Sequence, residues 1–198
     1  MNKNSPIFPV LGIVVALSAA AFGWYNMNKI PENEFPQFKL SLDLQSSKGP
    51  FQLSDIKGKV GLLFFGYAHC PDVCPATMVN FGRALDMLNE KERAKVSTLF
   101  VSLDPKRDTP EKMAKYTKFF HPDIIGLSGN EAQVEAAAKA FLIAYEKDEP
   151  NQLGNYSINH STYIFIIRPD GHLGQLMGHQ DPAEDIANVL RHWMKWAD

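Results

Sequence analysis

The residues of this chain best suited to chemistry lie within ten positions, "GYAHCPDVCP" (66–75), which hold both of its cysteines, Cys70 and Cys74. An apolar run precedes them and a helical pattern follows, so the pair stands where a strand hands over to a helix N-terminus. Unsatisfied N–H groups and the positive dipole end favour thiolate there, the form that attacks disulfides and binds soft metals. Pro71 and Pro75 lack amide hydrogens and stiffen the loop. The spacing is C-x-x-x-C, one residue longer than the common redox motif. If the segment is helical, positions i and i+4 put both sulfurs on one face, about one turn apart. Such a pair can close a disulfide, or offer two thiolates to one soft metal ion that still needs a third ligand. A purely stapling disulfide is the bland alternative, but closing so short a loop removes little unfolded-state entropy.

The elements around the pair set the geometry. "FKLSLDL" (38–44) alternates like a half-exposed strand, and "PFQLSDIKGK" adds a second short strand and a turn at Gly58. "VGLLFFGY" (60–67) is a continuous apolar run, as in a central strand covered on both faces. Cys74, Met78, Phe81, Leu85 and Leu88 then form one helical stripe. "KVSTLFVSL" (95–103) is the next buried strand. Thr109-Pro110-Glu111 starts a helix running to about Phe120. "IIGLSG" is a short strand, and Asn130 opens a helix reaching about Tyr145. "STYIFIIRPDGHLGQLMGH" reads as a hairpin about Pro169-Asp170-Gly171, and Asp181-Pro182-Ala183-Glu184 as a capping-box-like start for the last helix. This order predicts an α/β thioredoxin-like fold, its central, mostly parallel sheet flanked by helices. Ligands bind at the carboxyl edge of such sheets, where the cysteines lie.

Six histidines are available as third ligand. His69 adjoins Cys70, and neighbouring positions tend to point apart. His121 reads as a helix C-terminal cation. His172 lies in a hairpin turn, His179 in a loop and His192 on the last helix, and nothing recommends them. His160 differs: "NYSINHSTYIFII" puts it just before a buried strand, in the loop that faces the cysteines in a thioredoxin-like sheet. Thioredoxin-type oxidoreductases carry a proline there, and this chain has none nearby. Two thiolates and one imidazole make a soft three-coordinate set suited to copper. Met78 reads as core rather than as a thioether ligand. Asp104-Pro105 reads as turn chemistry ahead of a capped helix, with a supporting or docking role for Asp104 as the alternative. Arg107 and Asp108 read as solvated or loop-fixing.

Ile7 to Tyr25 is free of charge for 19 positions. As a helix it reaches about 28 Å, close to a hydrocarbon core of ~30 Å. We read residues 1–29 as one N-terminal transmembrane anchor, with a cleaved signal segment ending near Ala19-Ala20-Ala21 as the alternative. Residues 30–37 read as a linker and 38–198 as the domain. Either targeting reading sends the domain out of the cytoplasm; the anchor reading holds it at the cytoplasmic (inner) membrane, facing the periplasm or its equivalent. Beyond residue 31 the chain carries 18 basic and 22 acidic groups, which argues against a nucleic-acid partner.

"FFGYAHCPDVCPATM", "VSLDPKRDTPEKMAKY", "GLSG" and "NHSTYIFIIRPDG" occur in this order and resemble the Sco/SenC family of copper chaperones. The similarity covers about residues 35–198. It implies that Cys70, Cys74 and His160 bind copper, as Cu(I) or Cu(II) and one ion per chain. It also implies that the protein helps metallate or reduce the binuclear copper site of a cytochrome c oxidase subunit. The implied partners are that oxidase subunit, a copper donor or thiol reductant, and the inner membrane. Tyr67-Ala68 departs from the family's Phe-Thr and removes a hydroxyl near the site. The same thiols permit another reading, a thiol–disulfide oxidoreductase reducing a partner's copper-site cysteines with Cys70 and Cys74 as redox-active pair. A thiol peroxidase and a redox or copper sensor are further alternatives.

Overall fold

The computed structural model of the chain describes residues 40–196. The predicted anchor and linker lie outside the described residues. Among the described residues no helix is long and apolar enough to cross a membrane.

A hairpin of β1 (Asp43–Ser46) and β2 (Gly49–Gln52) leads through a 3-10 turn, Leu53–Ile56, to β3 (Val60–Gly66). There follow α1 (Val73–Asp86), the short α2 (Glu90–Ala94), β4 (Val96–Ser102), α3 (Pro110–Phe120) and β5 (Ile124–Ser128). Then come α4 (Glu131–Ala140), β6 (Tyr145–Lys147), β7 (Ile158–His160), β8 (Tyr163–Ile167), β9 (Leu173–Gly178) and α5 (Ala183–Trp196). Seven strands form one sheet in the order β2-β1-β5-β4-β3-β8-β9.

The sheet is mixed, not mostly parallel as the element order predicted. Only the β3–β4 and β4–β5 pairings are parallel. β1 joins β5 antiparallel, and β8 joins β3 antiparallel, so a hairpin closes each edge. Element order fixes neither the edge a hairpin joins nor its direction.

The apolar run of β3 is buried throughout because it feeds two cores. Val60, Leu62 and Phe64 pack with the α1 stripe, Met113 of α3 and Ile186 and Leu190 of α5. Leu63 and Phe65 face the other way, toward Leu99, Val101, Val134 of α4 and Phe141. Met78 is core, as read. Thr109 caps α3 as predicted, its hydroxyl accepting from Lys112 N–H at 3.3 Å.

Two expectations at the margins shift. The first ladder begins at Asp43, although Leu42 and Leu44 are buried in the predicted alternation. Helix α4 stops at Ala140 instead of reaching Tyr145. Leu142 turns left-handed at φ +53° and Ile143 N–H bonds back to Ala138 O at 2.8 Å. That is a Schellman-type ending without its usual glycine, so the sequence carried no stop signal. The freed residues form β6, which pairs with β7 as a separate two-stranded ribbon that the sequence did not announce.

Candidate functional site

β3 ends at Gly66, and the next six residues deliver Cys70 to the mouth of α1. Cys70 lies before the helix, so the two cysteines are not on consecutive turns of one helix. The side chains still meet in a hydrogen bond, and Cys74 N–H donates to Cys70 Sγ at 3.4 Å. The N-cap residue, Asp72, gives no side-chain hydrogen bond, and the sulfur occupies that role. Both cysteines are free thiols; Cys70 is half-buried and Cys74 buried.

The pair is electrostatically asymmetric. The Cys74 thiol donates to the Cys70 sulfur and, with N–H groups of the first turn, holds Cys70 down at about 5. That same hydrogen bond, together with burial, pushes Cys74 well above the usual thiol range. Cys70 is the ready thiolate and Cys74 the stored thiol.

The third candidate arrives from elsewhere. His160 closes β7 on the small ribbon, opposite Tyr145. Its Nδ1 lies 2.9 Å from Ser161 O; a carbonyl only accepts, so Nδ1 carries the proton. In the neutral imidazole Nε2 then keeps its lone pair, and it faces Cys74 Sγ at 4.0 Å. Two donors of one first-row ion in a trigonal plane stand about 3.7 Å apart, so this pair is close to ligating separation. The edges of Phe64 and Tyr67 flank the imidazole, with centroids 6.0 and 6.2 Å away. The donor set and the Nε2 tautomer fit a soft ion. Among the described residues no three such side chains already stand in a metal-holding array.

The other histidines do not join them. His69 turns toward Asp108, Nδ1 to Oδ1 at 3.7 Å. His121 is buried between Asp86 and Asp123, and His172 lies beside Asp170.

The loop between β4 and α3 selects the loop-fixing reading of Asp108 over the solvated one and extends the turn reading of Asp104. Both carboxylates are buried. Asp108 Oδ2 accepts from Ala68 N–H at 2.9 Å and Ser102 Oγ at 2.7 Å. Asp104 Oδ2 accepts from Arg107 Nε, and its Oδ1 from Tyr156 OH at 2.8 Å. Ala68, the family departure, thus meets Asp108 through its backbone. A charged D-P-x-R-D run after a buried strand was the available signal; its partner Tyr156 lies too far along the chain to be paired by pattern.

A helix-mouth dithiol faced by an imidazole across the carboxyl edge of a thioredoxin-like sheet defines a protein built for thiol or soft-metal chemistry. The sequence matches SCO1/SenC over residues 31–195, and the chain belongs to that family. It is 36% identical to Protein SCO2, mitochondrial, of Saccharomyces cerevisiae over 152 residues, 73% of this chain and 50% of that one. It spans about half the length of the curated relatives it matches first, covering 53% of Protein sco1 of Schizosaccharomyces pombe. Apo Sco1 of Thermus thermophilus superposes with a TM-score of 0.74 at 35% identity, covering 80% of this chain and 92% of that one. Bradyrhizobium japonicum ScoI with copper bound superposes at 0.71 and 32% identity, covering 77% and 97%.

Proposed function

We propose that this protein is an extracytoplasmic copper chaperone, held at the membrane by its N-terminal segment. It binds one copper ion through Cys70, Cys74 and His160. It passes the ion to the copper-receiving subunit of cytochrome c oxidase by ligand exchange. The observation that carries the reading is the approach of His160 Nε2 to the reduced Cys74 sulfur at 4.0 Å, with Cys70 on the same helix mouth. Thiolates and imidazole match copper in both common oxidation states. The likeness to a ScoI described with copper bound supports the same ligand class. Copper titration of the reduced full-length chain tests it, first Cu(I) against a competing chelator, then Cu(II). One-to-one binding with a thiolate-to-copper charge-transfer band, lost in Cys74→Ser and changed in His160→Ala, is the expected result. Weak binding indifferent to His160 would end this reading.

The asymmetry of the thiols favours a second reading, a dithiol reductant. The Cys70 thiolate attacks a partner disulfide, giving a mixed disulfide and releasing one partner thiolate. Cys74, once deprotonated, displaces the second partner thiolate and closes the Cys70–Cys74 disulfide. Two electrons pass to the partner and no metal is needed. Stoichiometric reduction of a disulfide peptide by a chain that fails to hold copper would favour it.

A further inference from the structure

The ribbon bearing His160 meets the body of the domain at buried Ile158, where the Tyr67 side chain hydrogen-bonds Ser157 and the Ile158 backbone, and at Tyr156. Every residue from Ala144 to Asn155 is exposed. The excursion between its strands, residues 148–157, braces mainly itself: Asp148 N–H bonds Ser157 O at 3.0 Å and Asn151 N–H bonds Asn155 O at 2.8 Å. Tyr156 is where it turns inward, four residues before His160.

Tyr156 is gripped on three sides. Its hydroxyl donates to Asp104 Oδ1 at 2.8 Å. Its carbonyl accepts from Arg107 Nη1 at 3.0 Å. Its ring lies 3.6 Å from the Arg107 guanidinium carbon, and Lys147 Nζ approaches the same ring at 3.8 Å. Arg107 also donates through Nε to Asp104, and stands 5.8 Å from the Tyr67 ring, which in turn flanks His160. One residue onward, Asp108 holds Ala68 N–H, two residues before Cys70. The loop from Asp104 to Asp108 therefore grips the cysteine loop with one carboxylate and the histidine ribbon with one guanidinium.

We infer that Arg107 is a positioning residue for the candidate copper site: through Tyr156 it fixes where the His160 imidazole stands relative to the thiol pair. The inference rests on the chaperone reading above. Arginine suits the task because its planar fork donates in two directions while its face stacks on a ring. Lysine would keep the charge and lose both the fork and the stack. The competing view makes the Asp104–Arg107 pair an ordinary loop-stabilising contact with no bearing on His160.

The test uses the reduced full-length chain as wild type, Arg107→Lys, Arg107→Met, His160→Ala and the Arg107→Met/His160→Ala double variant. Hydrogen exchange is measured without metal, and copper affinity and the Cu(II) charge-transfer spectrum with it. Both Arg107 variants are expected to exchange faster over residues 145–160 while β3 and β4 amides keep wild-type protection. Their copper affinity should fall about 10- to 100-fold, with spectra moved toward that of His160→Ala. The double variant should bind no more weakly than His160→Ala, because Arg107 acts only through that ligand. Additive losses in the double variant, or wild-type spectra in Arg107→Met, overturn the inference. If His160→Ala itself binds copper like wild type, the chaperone reading falls first. Arg107 is then a brace of the ribbon and nothing more.

Discussion

Gly66 is the last residue of β3, and it is glycine because a sulfur needs the space. A Cβ there would stand 2.6 Å from Cys74 Sγ and 2.9 and 3.0 Å from Phe100 Cε2 and Cζ. Gly66→Ala must therefore drive the thiol from its seat by roughly an ångström, with the Phe100 ring giving way beside it. Overpacking of this kind costs about 1–3 kcal/mol. For a chain of this size that lowers the melting temperature by about 2–12 °C. The second effect is chemical. A displaced Cys74 thiol donates less well to Cys70, so the Cys70 ionisation midpoint should rise from about 5. Thermal unfolding and the pH dependence of Cys70 alkylation read the two effects separately. Gly58→Ala is the control: its φ of +86° makes alanine strained, yet nothing lies within 4 Å of the new carbon. It should lower the melting point and leave the thiol midpoint alone. The steric reasoning fails if Gly66→Ala melts like wild type. It also fails if it melts early with the Cys70 midpoint unmoved, since Phe100 and not the sulfur would then have yielded.

The remaining predictions concern the same edge of the sheet. Native Cys70 lies below the ordinary thiol value of 9.0, so its alkylation rate should rise through about pH 5 in the folded chain and near 9 in denaturant. The stabilisation linked to that depressed value is complete above pH 9 and is lost as pH falls through 5. Cys74→Ala removes the main cause, and the folded midpoint should move up toward 9.0, as alkylation across pH would show. Asp108→Ala leaves Ala68 N–H and the Ser102 hydroxyl without their acceptor, at about 1–3 kcal/mol for each group left unpaired. It should melt well below wild type, whereas an Asp108→Asn variant, which keeps an acceptor oxygen, should recover much of the loss.

The strand, loop and helix around the cysteines were legible because each left a local mark. Those marks are a continuous apolar run, two prolines and a stripe at helical spacing. Caps were legible for the same reason. Asn130 and Gln133 exchange side-chain and backbone bonds at 2.9 and 3.1 Å, all within four residues. The ribbon was not legible. Tyr145–Lys147 is three residues long and buries none of them, so it has no apolar face to betray a strand. Leu142 adopts the left-handed turn that normally calls for glycine, which hid the end of α4. The Arg107–Tyr156 grip joins residues 49 apart and could be found only in the fold. His160 was singled out for its place before a strand. The structure adds what no pattern held, the placement of Nδ1 at 2.9 Å from Ser161 O and of Nε2 at 4.0 Å from Cys74 Sγ.

The hairpins that close the sheet have a bearing on how another protein can approach it. The outermost strands are β2 and β9. β2 is four residues long and contains Pro50, which has no N–H to give an incoming chain. β9 slips register against β8 at Ile166 and Ile167, and α5 presses close beside it, so that a Cβ on Gly174 would stand 2.9 Å from Trp193 Cε2. A short strand with a proline and an irregular strand under a helix are two ways by which sheets refuse an eighth member. Backbone augmentation is thus discouraged at both flanks. On the chaperone reading, recognition would fall to the loops at the carboxyl ends of β3 and β4 and to the ribbon beside them, where a visitor is met by side chains and by sulfur.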